Sequence, residues 1–373
     1  MKICIAIEKF NPHVGGAERY CWDFAHFLAE RGHEVEIICI KAKDPLHPSI
    51  HIIEVMCIRF PQALRHLSFA VMHYLKARSL PEHIHFCVGN TFYMDVYQPH
   101  GGLHRAWFLH DTLRYPDYLR KYIRFAKRLS LKDVVQRELE NRIFRKSRPE
   151  IIAISKMVAR DIRSWFNCPD KMIHVIPNGI DRSKFSTENK KYALQVRSRY
   201  GLKPEDFIFL FVANNLTLKG FDVLLRACRM LDHLDFKVLV VGTEDVRNRK
   251  KDRDLSDVIR FAGRSEDLEK IYPACDCLVH PSYYDACSLV VLEALASGIV
   301  VITTSTNGAS MFITKDNGHV IDPDDPGALA AAMSEVYYHK GPGIAPMQFQ
   351  DQVDVFSKVE RVLLNISSKN LKG

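Results

Sequence analysis

The chain has 373 residues, 47% of them hydrophobic, and carries a formal net charge of +8. That length exceeds what one hydrophobic core usually serves, so two folded domains are expected and a largely disordered chain is excluded. No apolar run approaches the ~20 residues of a spanning helix. The opening run meets Glu8 too early for the apolar region of a signal peptide, so membrane insertion and secretion are both disfavoured.

Short β-branched runs alternate with longer helical patterns along the chain, which predicts an α/β fold with parallel sheets wrapped by helices. In the first half, strands are expected at residues 2–8, 34–40, 51–55, 85–88 and 151–154, and a helix at 17–31 closed by Gly32. Between the first strand and that helix lies the loop 9–16, which ends in Gly15-Gly16. A Gly pair at a strand-to-helix turn clears side chains from the approach of a phosphate and leaves the helix N-terminus open to an anion. It is also common as a plain turn, and no GxGxxG fingerprint accompanies it. Further on, Gln98-Pro99-His100-Gly101-Gly102 reads as an exposed loop after a short strand, with His100 as a candidate that faces the bland alternative of a surface histidine.

From Arg105 to Arg148 there are thirteen Lys or Arg against five Asp or Glu, so this stretch alone carries a net charge equal to the chain's +8. Trp107, Phe108, Tyr115, Tyr118, Tyr122 and Phe125 interleave with the bases. Such a segment suits an anionic membrane face or, equally, a solvated helix pair covering the sheet. No nucleic-acid module is legible beside it, so nucleic acid is not an expected partner.

Pro177-Asn178-Gly179-Ile180-Asp181 breaks the pattern and marks the domain boundary, with domains expected at 1–175 and 176–352. After a charged, helix-like stretch to Tyr200, strands are expected at 207–212, 237–241, 258–261, 277–280 and 299–303, with a helix at 220–231. The final segment, 353–373, has helical spacing over 353–366 and is expected to pack back on the first domain. Ten cysteines, at positions 4, 21, 39, 57, 87, 168, 228, 275, 277 and 287, lie in apolar runs without a CxxC pair. They predict reduced core thiols and hence a cytoplasmic location.

Two segments of the second half carry chemistry. Asn214-Asn215-Leu216-Thr217-Leu218-Lys219-Gly220 follows a strand, and a Lys just before a helix can stabilise a leaving diphosphate as a compact cation. Tyr284-Asp285-Ala286-Cys287-Ser288-Leu289, continuing to Glu293 and Gly298, sets two carboxylates eight positions apart around a helix start. Ser288 is expected to cap that helix and Gly298 to end it. Its open first turn suits a diphosphate, and Glu293, one turn in, suits ribose hydroxyls. Asp252-Arg253-Asp254 and Asp322-Pro323-Asp324 match the letters of a metal-binding DxD pair, but both read as surface turns outside this set, so no metal is expected.

In this order the segments resemble family 4 glycosyltransferases of the GT-B type, and the resemblance spans nearly the whole chain. Gly15-Gly16-Ala17-Glu18 resembles the family's N-terminal glycine loop, Pro177 to Asp181 its linking motif, Lys219-Gly220 its phosphate-binding lysine, and Asp285 to Glu293 its E-x7-E element. Asp95-Val96-Tyr97 to His104 and the basic segment after it are similar to the lipopolysaccharide-core glucosyltransferases that act on heptose. The resemblance implies two facing Rossmann-like doubly wound parallel-sheet domains, the first for the acceptor and the second for the donor. It implies a hexose, first of all from UDP-glucose, moved with retention of configuration to a glycan or glycolipid acceptor, with no metal and no further cofactor.

Carried over by residue, the implied catalytic set is His100, Lys219 and Asp285. The implied donor site adds Gly15, Gly16, Asn215, Cys287, Ser288, Leu289 and Glu293. Two departures stand out. Asp285 is a methylene shorter than the family's usual Glu, and Thr217 stands where a second cation is common. A nucleotide-sugar epimerase of the same architecture and a catalytically silent binding subunit are the alternatives. A dinucleotide-dependent oxidoreductase is disfavoured by the missing glycine fingerprint.

Overall fold

The computed structural model describes residues 1–45, 47–242, 253–339 and 343–370. Residues 1–112, 116–178 and 353–373 form one unit, and 113–115 with 179–352 form another. The chain passes from the first to the second after Asn178, inside the Pro-Asn-Gly turn.

In the first unit the order is β1 (Lys2–Ala6), β2 (Lys9–Phe10), α1 (Gly16–Glu30), β3 (Glu34–Cys39), β4 (Lys41–Ala42), β5 (Ile50–Glu54), α2 (Gln62–Ala77), β6 (Ile84–Cys87) and β7 (Val96–Tyr97). There follow α3 (His104–Asp111), α4 (Asp117–Arg128), α5 (Leu131–Asn141), β8 (Glu150–Ala153), α6 (Lys156–Phe166) and β9 (Ile173–Val175). The sheet runs β5-β3-β1-β6-β7-β8-β9 and every pairing is parallel. Strand β1 shows why it is central. Its side chains alternate, Ile3 and Ile5 facing the cluster of α1 and Cys4 facing that of α2, and all are fully buried. The strands β9 and the small β2–β4 pair were not expected from sequence, because two or three residues carry no readable period.

The second unit contains α7 (Ala193–Arg199), β10 (Ile208–Ala213), α8 (Phe221–Met230), β11 (Lys237–Gly242), β12 (Ile259–Gly263), α9 (Leu268–Ile271) and β13 (Cys277–His280). It continues through α10 (Leu289–Ala296), β14 (Val300–Thr304), β15 (Gly318–Ile321) and α11 (Pro326–Tyr338). Its sheet runs β12-β11-β10-β13-β14-β15, again wholly parallel. Each unit is thus a Rossmann-like doubly wound sheet, since counting the strands of each sheet in chain order gives 3-2-1-4-5-6-7 in the first and 3-2-1-4-5-6 in the second. That order places a switch point between β1 and β6 in one unit and between β10 and β13 in the other. Ligands of open α/β sheets bind beyond the strand ends at such points.

The last helix, α12 (Gln352–Asn370), belongs with the first unit. Phe356, Val359, Leu363 and Ile366 enter the core of Ile3, Phe24 and Phe27. Its buried Glu360 accepts from Arg31 Nε at 2.9 Å and pairs with His33 Nε2 at 2.7 Å. The basic segment resolves into α3, α4 and α5. Of these α5 packs on α2 through Val135 and Leu139 against Ala63 and Ala70.

Candidate active site

The loop after β10 brings Lys219 to the switch point of the second unit. Asn215 Oδ1 accepts from Leu218 N at 3.1 Å and Asn215 O accepts from Lys219 N at 3.2 Å, which curls the loop tightly. Gly220 lets that curl close. Its φ of +77° is left-handed, and a Cβ there would lie 2.0 Å from Pro281 O, so only glycine lets the loop dock against the end of β13. Lys219 Nζ thereby reaches Asp285 Oδ2 as an ion pair.

Asp285 is itself clamped. Its N donates to Thr306 O at 3.1 Å and its O accepts from Gly308 N at 2.8 Å, so the acidic loop is tied to the loop after β14. Burial on its own would raise the Asp285 carboxyl, but the Lys219 ammonium and hydrogen bonding with His280 hold it far below the usual carboxylate range. His280, the last residue of β13, was not singled out from sequence. It is fully buried, with Nε2 3.5 Å from Asp285 Oδ2 and 3.2 Å from Ser288 Oγ. Burial keeps its imidazole below its ordinary value and outweighs the Asp285 hydrogen bond. The only readable signal was its position at the carboxyl end of a buried strand.

Ser288 departs from expectation. It stands at the N-cap of α10, but its hydroxyl faces His280 and makes no capping bond. Ser288 N instead donates to Asn307 Oδ1 at 3.3 Å, and the same oxygen accepts from Ala309 N at 3.0 Å. The fully buried Asn307 thus braces the start of α10, a role that its place in a loop gave no hint of. The helix does end at Gly298 (φ +75°), with Gly298 N donating to Leu295 O and Ile299 N to Ala294 O. Within α10, Glu293 Oε2 accepts from Tyr272 Oη at 2.7 Å, which fixes the rotation of the carboxylate. Cys287 is buried beside Asp285 in sequence, and Leu289 opens the helix half-buried.

Gly15, Gly16 and His100 belong to the first unit. Gly15 precedes α1 in extended backbone (φ −171°) that any residue adopts, and a Cβ there would crowd only the flexible Glu18 carboxylate. Gly16, at the first helical position, is exposed. His100 differs from the exposed loop residue that was expected. Its loop folds onto α1, its ring lies 4.3 Å from the Tyr20 ring centroid, and Nε2 is buried with no hydrogen-bond partner among the described residues. Burial pushes its pKa down to about 3, so the ring is neutral at physiological pH.

Comparison with known proteins bears on the family and the fold. Residues 14–184 match the glycosyltransferase family 4 model, and residues 195–342 match that of the glycosyl transferases group 1. The chain is a GT-B glycosyltransferase of the family 4 type. An uncharacterized glycosyltransferase of Methanocaldococcus jannaschii is 26% identical over 360 residues, 90% of this chain and 89% of that one. The mannosylfructose-phosphate synthase of Agrobacterium fabrum is 27% identical over 241 residues, 60% of this chain and 52% of that enzyme. The glycosyltransferase therefore spans about half the length of that relative, as it does of the D-inositol 3-phosphate glycosyltransferases.

Among solved structures, WaaG, a glycosyltransferase involved in lipopolysaccharide biosynthesis, aligns with a TM-score of 0.79 at 19% identity over 97% of this chain and 99% of that one. HepE of Anabaena, in complex with UDP-glucose, aligns at 0.70 and 18% over 98% and 100%. At those identities the likeness is one of fold. The DxD-lettered segments of this glycosyltransferase sit apart from Lys219 and Asp285 in their bonding. Asp254 pairs with Arg229, Asp324 with Arg226, and Asp322 accepts from Ser305 Oγ, while Asp252 lies outside the described residues.

Proposed function

We propose that the protein transfers a hexose from a nucleotide diphosphate sugar, UDP-glucose first of all, to a hydroxyl of a cell-envelope glycan, with retention of configuration and without a metal. The observation that carries this reading is the Lys219–Asp285 pair, standing at the carboxyl ends of β10 and β13 beside His280. A diphosphate arriving at the open turn of α10 competes with Asp285 for the Lys219 ammonium and gains charge as the glycosidic bond breaks. Asp285, relieved of its cation, then accepts from hexose hydroxyls, with His280 and the Thr306–Gly308 backbone holding it in place. Glu293, oriented by Tyr272, takes the ribose. An oxocarbenium-like transition state needs its leaving phosphate stabilised and its acceptor aligned, and these groups supply the first requirement. Roles for Gly16 at the phosphates and His100 at the hexose rest on the family resemblance.

The structures of HepE with UDP and with UDP-glucose support this donor class for the fold, and the involvement of WaaG in lipopolysaccharide biosynthesis supports an envelope acceptor. Among the described residues no helix is long and apolar enough to cross a membrane. Contact with an anionic membrane is assigned to α4, which exposes Tyr118, Tyr122 and Phe125 on one face. The first test is a thermal-shift screen with UDP-, GDP- and ADP-sugars, in which UDP-glucose should raise the Tm most. Stabilisation by none of them would overturn the donor site. Incubation with the donor alone should leave the hexose unchanged, and rapid epimer formation would replace the transferase reading with an epimerase.

A further inference from the structure

Beneath α2 the first unit buries a set of side chains for which sugar transfer has no use. Cys4 on β1 and His85 on β6 are register partners in adjacent parallel strands, so they share a face, and Cys87, two residues on from His85, shares it too. On the helix, His73 projects onto the same face. His73 is 0% exposed and His85 1% exposed, and Cys4 is fully buried. The ligand-type atoms of Cys4, His73 and His85 all lie within 4.8 Å of one another, and Cys87 Sγ is 4.0 Å from His73 Nε2.

Cys87 Sγ donates to Tyr93 O at 3.6 Å, but one nitrogen of each imidazole is left unserved by the described residues. His73 Nδ1 and His85 Nδ1 are both buried with no hydrogen-bond partner among the described residues. Such an orphan costs on the order of 1–3 kcal/mol, and His85 Nδ1 in this apolar layer calls for an occupant, toward which His73 turns the Nε2 that lies beside Cys87. His85 Nε2 lies 3.1 Å from Leu80 O, which assigns its N–H to that carbonyl and leaves the lone pair on Nδ1. A histidine ligand tied through its other nitrogen to a backbone carbonyl has the outer support that metal sites commonly show.

We propose that Cys4, His73 and His85, with Cys87 as the adjoining fourth ligand, form a structural zinc(II) site that staples α2 to β1 and β6. Two thiols and two imidazoles are a donor set that zinc takes in tetrahedral geometry, with metal–ligand distances of about 2.0–2.3 Å, so the side chains close by about an ångström around the ion. Binding exchanges two protons for the ion. Cys4 and Cys87 each give up the S–H proton to solvent, and both imidazoles bind as neutral bases, leaving an uncharged centre suited to its apolar surroundings. Burial already holds His73 neutral, at a pKa of about 3. It also raises both thiols, so that the ion has to supply the drive for their ionisation.

The test uses the full chain, expressed in zinc-supplemented medium and purified under reducing conditions without chelator. Mass spectrometry of the metal content should find about one zinc per chain, and cobalt(II)-grown protein should show tetrahedral d–d bands with a thiolate charge-transfer band, which surface histidines do not produce. Cys4→Ser and His73→Gln should each lower the zinc content by ~10-fold or more, while exchanging the exposed His13 and His233 for Ala should leave it unchanged. The wild-type measurement decides even if a variant fails to fold. Wild-type protein without zinc, a cobalt spectrum lacking the thiolate band, or zinc retained in both folded variants would each overturn the site.

Discussion

Lys219 and Asp285 neutralise one another where water has little access, and His280 stands behind the carboxylate. Under the proposed function, a pair held this way keeps its charges matched until a diphosphate takes the cation. Thr217 is exposed where the family resemblance implies a second cation, so under the proposed function the burden on Lys219 is the greater. Lys219→Ala should reduce kcat by ~100-fold or more, the scale of losing one group aimed at developing charge, and Glu293→Ala, which removes the proposed ribose contact, should reduce kcat/KM by ~10-fold or more. Steady-state kinetics of variants whose Tm has been matched to wild type checks this, and near-wild-type values in both would remove the site assignment.

Helix α4 buries none of its residues, yet its large apolar side chains keep helical spacing. Tyr118, Tyr122, Phe125 and Leu129 are 81%, 71%, 66% and 67% exposed and recur at intervals of four, three and four, so they line one face. The bases divide into two groups. Lys127 pairs with the buried Asp111 at 2.7 Å and Arg124 donates to Thr112 Oγ1 at 3.0 Å, which hold α4 to the end of α3, whereas Lys121 and Arg128 are exposed. Aromatic rings at one face with outward bases suit the interface of an anionic bilayer. Lys121→Gln with Arg128→Gln should weaken binding to anionic vesicles by ~30-fold, at about 1 kcal/mol for each base. Vesicle sedimentation measures it, and unchanged binding would assign the face to solvent.

At the scale of the molecule, the last helix completes the first unit's core. Phe356 meets Tyr20, Phe24 and Phe27 at ring-centroid distances of 5.2, 5.2 and 5.5 Å, and Tyr20 in turn carries the His100 ring. Phe356→Ala leaves a cavity amid those rings and should cost ~3–5 kcal/mol. All three tryptophans, Trp22, Trp107 and Trp165, lie in the first unit, so intrinsic fluorescence follows its unfolding alone. The fluorescence midpoint in denaturant should fall accordingly, and a midpoint within error of wild type would mean that α12 contributes nothing to that core.

The linear chain by itself determined whatever depends on neighbours in sequence. The continuous apolar runs of β1 and β10, the Gly after Lys219, and the strand, loop and helix that carry Asp285 and Glu293 were all legible, because propensity and hydrophobic patterning act over a few residues. What only the tertiary structure decided joins residues far apart. The Lys219–Asp285 pair spans 66 positions, and its geometry follows from β10 and β13 being adjacent across the switch point. The loop after β13 brings the Ser288 hydroxyl back to His280 and away from capping α10, and packing on Tyr20 of α1 leaves His100 half-buried with its Nε2 out of water. The cluster of Cys4, His73 and His85 was invisible for a like reason. A side-chain period tells which face a residue takes, but only the order of strands and the helix laid across them tells what it meets there.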